Sequence, residues 1–301
     1  MARKASPTQS SPWTPRPACR IKLPSGKVLD TDSRALVMGV LNVTPDSFSD
    51  AGRFFRPDVA VEHARAMVAE GADVLDVGGE STRPGSRGVD AEEEMRRVIP
   101  IIKELAAETN VPISIDTQKA QVAEAALDAG AQLVNDVSAL RSDERMAGLA
   151  AERGAPVCLM HMQGTPRTMQ DSPAYTEVVG EVIEWLRERV AFAVDAGIRR
   201  ESLFVDPGFG FGKTPQHNLE LLRRLHELHA LGCGVMVGTS RKSTLGVVLD
   251  AESDKRLYGT LATLACAVMS GCHMVRVHDV KPACDAVLMC EAIRRGMQWE
   301  P

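Results

Sequence analysis

Eight short apolar runs in this sequence end on or close to a polar residue: Asn42, Asp76, Asp116, Asn135, His161, Asp206, Ser240 and Arg276. Carboxylates and amides pair with the donors and acceptors of amide-like ligand edges, and a guanidinium offers a planar fork to carboxylate or phosphate oxygens. Four loop segments add Gly or Pro punctuation to groups able to bind anions or amides: NVTPDSFSD at 42–50, GGESTRPGS at 78–86, DPGFGFGK at 206–213 and GTSRKS at 238–243. Arg83 in the second loop, and Arg276 with His278 alternating outward from the last run, suit an anion. No run is followed by GxGxxG and no GxxxxGK[ST] occurs, so neither a dinucleotide nor a nucleoside triphosphate site is indicated.

These residues need a scaffold that brings them together. From Ala35 onward one unit recurs: helical periodicity, a Gly-containing break, a short run of Val, Leu and Ile, then polar residues. The instances are EGADVLDVGGE, NVPISIDTQ, AGAQLVNDV, RGAPVCLMHM, ESLFVDPGFG, LGCGVMVGTS and SGCHMVRVHD, preceded by ALVMGVLNVTP. That alternation is the signature of parallel βα units. In five instances the Gly stands where a left-handed residue would end a helix and feed the next strand. Segments such as VAVEHARAMVAE, AEEEMRRVIPIIKELAAE, YTEVVGEVIEWLRERVAFAVDA and HNLELLRRLHELHAL carry the helical period. An open doubly wound sheet would show similar units, but it would spread its outer strands away from a single crevice. In a closed barrel all eight polar ends meet on one rim, where active sites of that fold sit. The fold class expected is α/β, a (β/α)8 barrel.

IKLPSGKVLD reads as a small β-hairpin that plugs one end of the barrel. The preceding residues are rich in Pro, Ser and Thr, which predicts a disordered tail over 1–19 and a single domain over 20–301; a transit peptide is the alternative for a tail without acidic residues. A net charge of −5 gives no general attraction for nucleic acid or an anionic membrane, and no stretch approaches the roughly 20 apolar residues that span a bilayer. Seven cysteines without a CxxC pair read as reduced thiols of a cytoplasmic protein, and all but Cys19 fall in strand or helix patterns as buried small hydrophobes. The HELH pair, His226 and His229, reads as a solvated helix face rather than a zinc site, because no carboxylate or third His accompanies it. Several rim residues also have structural readings: Asp116 as a helix N-cap, Asn135 as a turn residue, and Arg276 as the surface partner of Asp279.

NVTPDSFSD, GGESTRPG, DPGFGFGK, SRKS and RVHD occur in the order in which the dihydropteroate synthase family carries them, and in this set the chain resembles that family over nearly its whole length after the tail. Ala51 departs from the Gly common in the family's SDGG. The resemblance implies a pterin site in which Asp206 accepts from N3 and the 2-amino group, Asp116 and Asn135 face the N1 and N8 side, Lys242 donates to O4 and N5, and Met160 and Phe211 flank the ring. It implies a pyrophosphate site of Asn42, Thr82, Arg83, Arg276 and His278, with Mg²⁺ at Asn42 near Asp46. It places Phe48, Arg83, Pro84, Ser240 and Lys242 around p-aminobenzoate, gives Asp116, Lys242, Arg276 and His278 the catalytic roles, assigns His161 none, and implies a homodimer formed through the later helices. An arylamine is already nucleophilic at neutral pH, so the expected mechanism is a dissociative substitution driven by departure of pyrophosphate. Two other readings stand beside it: a methyltetrahydrofolate-dependent methyltransferase, which would not need an anion site, and a noncatalytic pterin-binding paralogue.

Overall fold

Strands that are covered on both faces must be apolar throughout, and the eight runs from Ala35 onward meet that demand. In the computed structural model, which describes residues 13–44, 57–81, 86 and 88–296, β1 (Arg20–Lys22) and β2 (Val28–Asp30) form an antiparallel hairpin. The barrel strands are β3 (Leu36–Asn42), β4 (Val74–Gly78), β5 (Ile113–Asp116), β6 (Leu133–Asp136), β7 (Val157–Met160), β8 (Leu203–Asp206), β9 (Gly234–Val237) and β10 (Met274–Val277). All eight are parallel, and β10 pairs with β3 to close the barrel. The helices around it are α1 (Pro57–Ala69), α2 (Ala91–Glu108), α3 (Ala120–Asp128), α4 (Arg145–Arg153), α5 (Val178–Asp195), α6 (Pro215–Arg223), α7 (Ser243–Leu249), α8 (Leu257–Met269) and α9 (Val280–Arg295). The five glycines expected to turn the chain from helix into strand, Gly71, Gly130, Gly154, Gly232 and Gly271, all have φ between +60° and +116°.

The two-residue period of each strand sorts its side chains. Residues such as Leu75, Ile115, Val134, Leu159, Val205 and Val275 point outward into the layer shared with the helices. Leu36, Met38, Val74, Leu133, Cys158, Phe204, Met236 and Met274 fill the lumen. The hairpin closes the lower mouth as expected: Ile21, Leu23 and Leu29 are 0–4% exposed and belong to the lumen cluster, each contributing roughly 1.5–3 kcal/mol of burial.

Three expectations change. Residues 13–19, read as part of the tail, are held against the same mouth: Arg16 pairs with Glu291 and donates from Nε to Cys272 O (2.7 Å) and from NH1 to Thr31 O (3.1 Å), while His273 donates to Pro17 O (3.0 Å). A Pro-rich segment needs no regular structure to be fixed when side chains of the body satisfy its carbonyls. HNLELLRRLHELHAL divides into α6 and a 3₁₀ turn, Leu225–Leu231; there His226 is exposed, but His229 bonds Gly271 O (3.1 Å) and meets His273 edge-on, so it is not a solvated residue. All seven cysteines are free thiols, and Cys158, Cys233, Cys272 and Cys290 are buried, whereas Cys266 is exposed and Cys284 half-buried. These two lie on helices, which bury only one face, and the apolar pattern of α8 and α9 does not show which.

Candidate active site

Two residues beyond the apolar lumen layer, the same strands carry their functional side chains. Leu133 gives way to Asn135, Cys158 to Met160, Phe204 to Asp206 and Met274 to Arg276, and the inward positions of β4 and β5 are Asp76 and Asp116. The strand period therefore aims all six at one mouth of the barrel. Asp76, Asp116, Asn135 and Asp206 are each at most 9% exposed.

Arg276 lies across the cluster, donating from Nε to Asp76 Oδ2 (2.6 Å) and from NH2 to Asp116 Oδ2 (2.7 Å). Asn135 donates to the same Asp76 oxygen (3.0 Å), and among the described residues the buried Asp76 Oδ1 has no hydrogen-bond partner. Asp116 is thus no N-cap, since α3 starts four residues later behind Lys119. Nor does Arg276 pair with Asp279, which Arg241 takes instead. Asn135 sits within a strand rather than in a turn.

Loss of water sets the electrostatics. Burial raises the Asp116 pKa to about 7, with Arg276 opposing and Asp76 reinforcing the shift. Burial also raises Asp206, against the Gly208 N–H and the charges of Lys242, Lys213 and Arg276. Lys242 is pushed down to about 7 by burial, against the attraction of Asp206. Burial works against the charge on Arg276 too, but Asp76 and Asp116 outweigh it and hold the guanidinium protonated. Near neutrality the described residues of the mouth therefore include a firm cation in Arg276 and several groups whose protonation a ligand can change.

The other wall is apolar. Met160 and Phe211 pack with Val137, Met162 and Met169, and Lys242 Nζ stands 3.9 Å from the Phe211 ring centroid while donating to Phe209 O (2.9 Å). Asn135, Met160, Asp206, Phe211, Lys242 and Arg276 line one narrow cleft between the walls. Asn42 ends β3 beside Gly78 at the same mouth. His278 corrects an expectation: burial, aided by Arg276 and Arg241, brings its pKa down to about 3, so it enters the site as a neutral ring. Its Nδ1 is bonded to Ser240 Oγ (3.0 Å), and Ser240 is itself buried, so that hydroxyl serves the histidine before any ligand. Asp46, Phe48, Ala51, Thr82, Arg83 and Pro84 lie outside the described residues.

Two features escaped the sequence reading. Asp76 organises both Asn135 and Arg276, and its signal was an acid in the middle of VLDVG, where a buried strand tolerates charge only with a partner. His161, given no role, shares a buried hydrogen bond with Lys213.

The chain matches the model of the pterin binding enzyme family over residues 38–278. It is 48% identical to the dihydropteroate synthase of Escherichia coli strain K12 over 256 residues, 85% of this chain and 90% of the relative. Among solved structures it superposes on Xanthomonas albilineans dihydropteroate synthase with 4-aminobenzoic acid at a TM-score of 0.86 and 44% identity, covering 92% of this chain and 99% of the other. Yersinia pestis dihydropteroate synthase in a sulfonamide complex gives 0.87 at 43% identity, again covering 92% and 99%. With these agreements and the cleft just described, the chain belongs to the dihydropteroate synthase family of pterin-binding transferases.

Proposed function

We propose that this mouth binds 6-hydroxymethyl-7,8-dihydropterin pyrophosphate and p-aminobenzoate and joins them into 7,8-dihydropteroate with release of pyrophosphate. The observation that carries the reading is the meeting of Asn135, Asp206 and Arg276 around one cleft, with Asp116 behind them bonded to Arg276 at 2.7 Å. Asp206 accepts the pterin N3 proton and 2-amino group; its Oδ1 is bonded to Gly208 N (2.7 Å). Asp116 and Asn135 face the N1 and N8 side, Lys242 donates to O4 and N5, and Met160 and Phe211 flank the ring. Each hydrogen bond to a charged group contributes about 1.5–3 kcal/mol.

Arg276 faces the leaving group. Asp76 and Asp116 take donors on Nε and NH2 only, so the remaining N–H groups can hold an anion while the carboxylates support positive charge building on the pterin methylene. The bond from that carbon to the bridging oxygen breaks toward pyrophosphate, the amine nitrogen bonds to the carbon, and the amine proton passes to solvent or a diphosphate oxygen. Asp116 stabilises the developing cation; His278 contributes as a neutral hydrogen-bonding ring. Asn42, Thr82 and Arg83 complete the pyrophosphate site, and Phe48, Arg83, Pro84, Ser240 and Lys242 the p-aminobenzoate site.

Mg²⁺ fits here as an ion that arrives on the diphosphate. Asn42 offers one amide oxygen, and among the described residues no cluster of three His, Cys, Asp or Glu could hold a resident metal; Mg²⁺ commonly takes few protein oxygens and relies on substrate phosphates. Its chemistry when bound is neutralisation of the leaving anion.

Val247, Tyr258 and Met289, each 62–82% exposed, crowd the outer faces of α7, α8 and α9 and support a homodimer through these helices. Among the described residues no helix is long and apolar enough to cross a membrane; we read the chain as a cytoplasmic enzyme built as a single domain. The test is an assay of the purified chain for pyrophosphate. Release that requires both the pterin ester and p-aminobenzoate supports the assignment; methyl transfer with a corrinoid partner, or pterin binding without turnover, overturns it.

A further inference from the structure

Lys213 ends the Gly-rich loop after β8, and none of the chemistry above uses it. Its side chain is 3% exposed. The amine donates to Phe211 O (2.9 Å) and shares a bond with Nδ1 of His161 (2.8 Å). Burial, with the lysine charge beside it, drives the His161 pKa far down. The ring is therefore neutral, takes the lysine proton at Nδ1 and carries its own on Nε2. Trp185 covers it edge-on at 4.8 Å between centroids.

The same stretch is tied to Asp206 on two sides. His161 N donates to Asp206 O (2.9 Å), and Gly208 N to Asp206 Oδ1 (2.7 Å). Gly208 has φ +69°, and a β-carbon there would run into His161 O and stand 3.4 Å from Lys213 Nζ. The glycine turn thus lies close between the ammonium and the carboxylate, leaving no space for a side chain at position 208.

We infer that Lys213 is a positioning residue for pterin recognition: it fixes the DPGFGFGK turn against the end of β7 and supplies, from behind, positive charge that keeps Asp206 a carboxylate able to accept two ligand donors. The inference rests on the proposed role of Asp206. The other groups facing this pair are Lys242 and Arg276 across the mouth and Cys158 from β7, with Arg141 stacked behind on Trp185. Lys242 and Arg276 have ligand atoms to hold, whereas Lys213 is walled off by His161, Gly208 and Phe211. Its own pKa is lowered to about 7 by burial, against the pull of Asp206, so the two charges sustain each other.

The experiment is steady-state kinetics of the full chain and its Lys213→Met, Lys213→Gln and Lys213→Arg variants between pH 6 and 9. Removal of the charge should raise KM for the pterin ester about tenfold at pH 7 and move up by about one unit the part of the acid limb of kcat/KM that Asp206 sets beside Asp116, while KM for p-aminobenzoate stays within about twofold. Lys213→Arg should recover most of the affinity. Lys213→Gln retains a donor for Phe211 O, so it gives the same readout where the methionine variant fails to fold. A folded neutral variant with unchanged pterin KM and pH limb overturns the inference, as does a loss confined to stability. Wild-type turnover is the control: its absence sinks the reading of the whole site, whereas turnover indifferent to Lys213 sinks only this role.

Discussion

The two mouths of the barrel bury charge in opposite ways. Among the described residues the buried ionic groups of the lower mouth are answered: Arg16 has Glu291, Cys272 O and Thr31 O, the Glu291 carboxylate also accepts from Ala35 N (3.2 Å), and His273 accepts from Val235 N and donates to Pro17 O. At the upper mouth Asp76 keeps a buried oxygen without a partner among the described residues, Arg276 is divided between two carboxylates, and Asp116 and Lys242 titrate near neutrality. A satisfied buried pair holds a fold in place, while an unsatisfied one stores interactions that a ligand can complete. Sequence composition does not distinguish the two mouths; the completeness of their hydrogen bonding does.

The sharpest way to break the comparison is at the upper mouth. Asp116→Asn should lower kcat by about 100–1000-fold, the usual effect of removing one preorganised electrostatic group. It should also suppress pyrophosphate release measured without the amine. Undiminished amine-free release would argue against carboxylate support of a cation. The matching change below is Glu291→Gln, which leaves Arg16 short of its partner and should cost about 3 kcal/mol in urea unfolding. In that variant kcat/KM at a permissive temperature should stay within about twofold of wild type. A Glu291→Gln enzyme that is stable but inactive would erase the distinction between the mouths.

A smaller effect concerns pH. A carboxyl whose folded pKa is raised disfavours the folded state progressively as pH climbs from about 4, its unfolded value, to the folded one. For Asp116 that window ends at about 7. If ionised Asp116 is the working form, kcat/KM of the wild type should rise through an apparent pKa near 7. Asp76→Asn removes a repelling charge and leaves Arg276 to Asp116 alone, so the limb should move to lower pH by about half a unit to one unit. A limb that stays put would show that Asp76 acts only as a tether for Asn135.

Much of this was legible in the sequence because it depends on period. The eight apolar runs and the turn glycines define the strands, and a strand period of two means that Asn135, Asp206 and Arg276 must share a face with Leu133, Phe204 and Met274. The charge state of His278 was not legible, because it follows from burial, with Arg276 two residues before it and Arg241 from a separate loop adding to the shift. The partner of Arg276 was missed for a related reason: Asp279 is near in sequence, but Asp76 and Asp116 are near in space across the closed barrel. Arg16 was hidden because a Pro-rich segment carries no periodicity, and its fixation depends on Glu291 at the far end of the chain.

The division between the mouths is tested most directly by Asp206→Asn, with pterin affinity from calorimetry and unfolding free energy measured on the same preparation. The expected result is an affinity loss of about 100-fold or more, as two charge-assisted hydrogen bonds weaken, with no loss of stability because a buried carboxylate is relieved. A destabilised protein that still binds the pterin at wild-type affinity would contradict it.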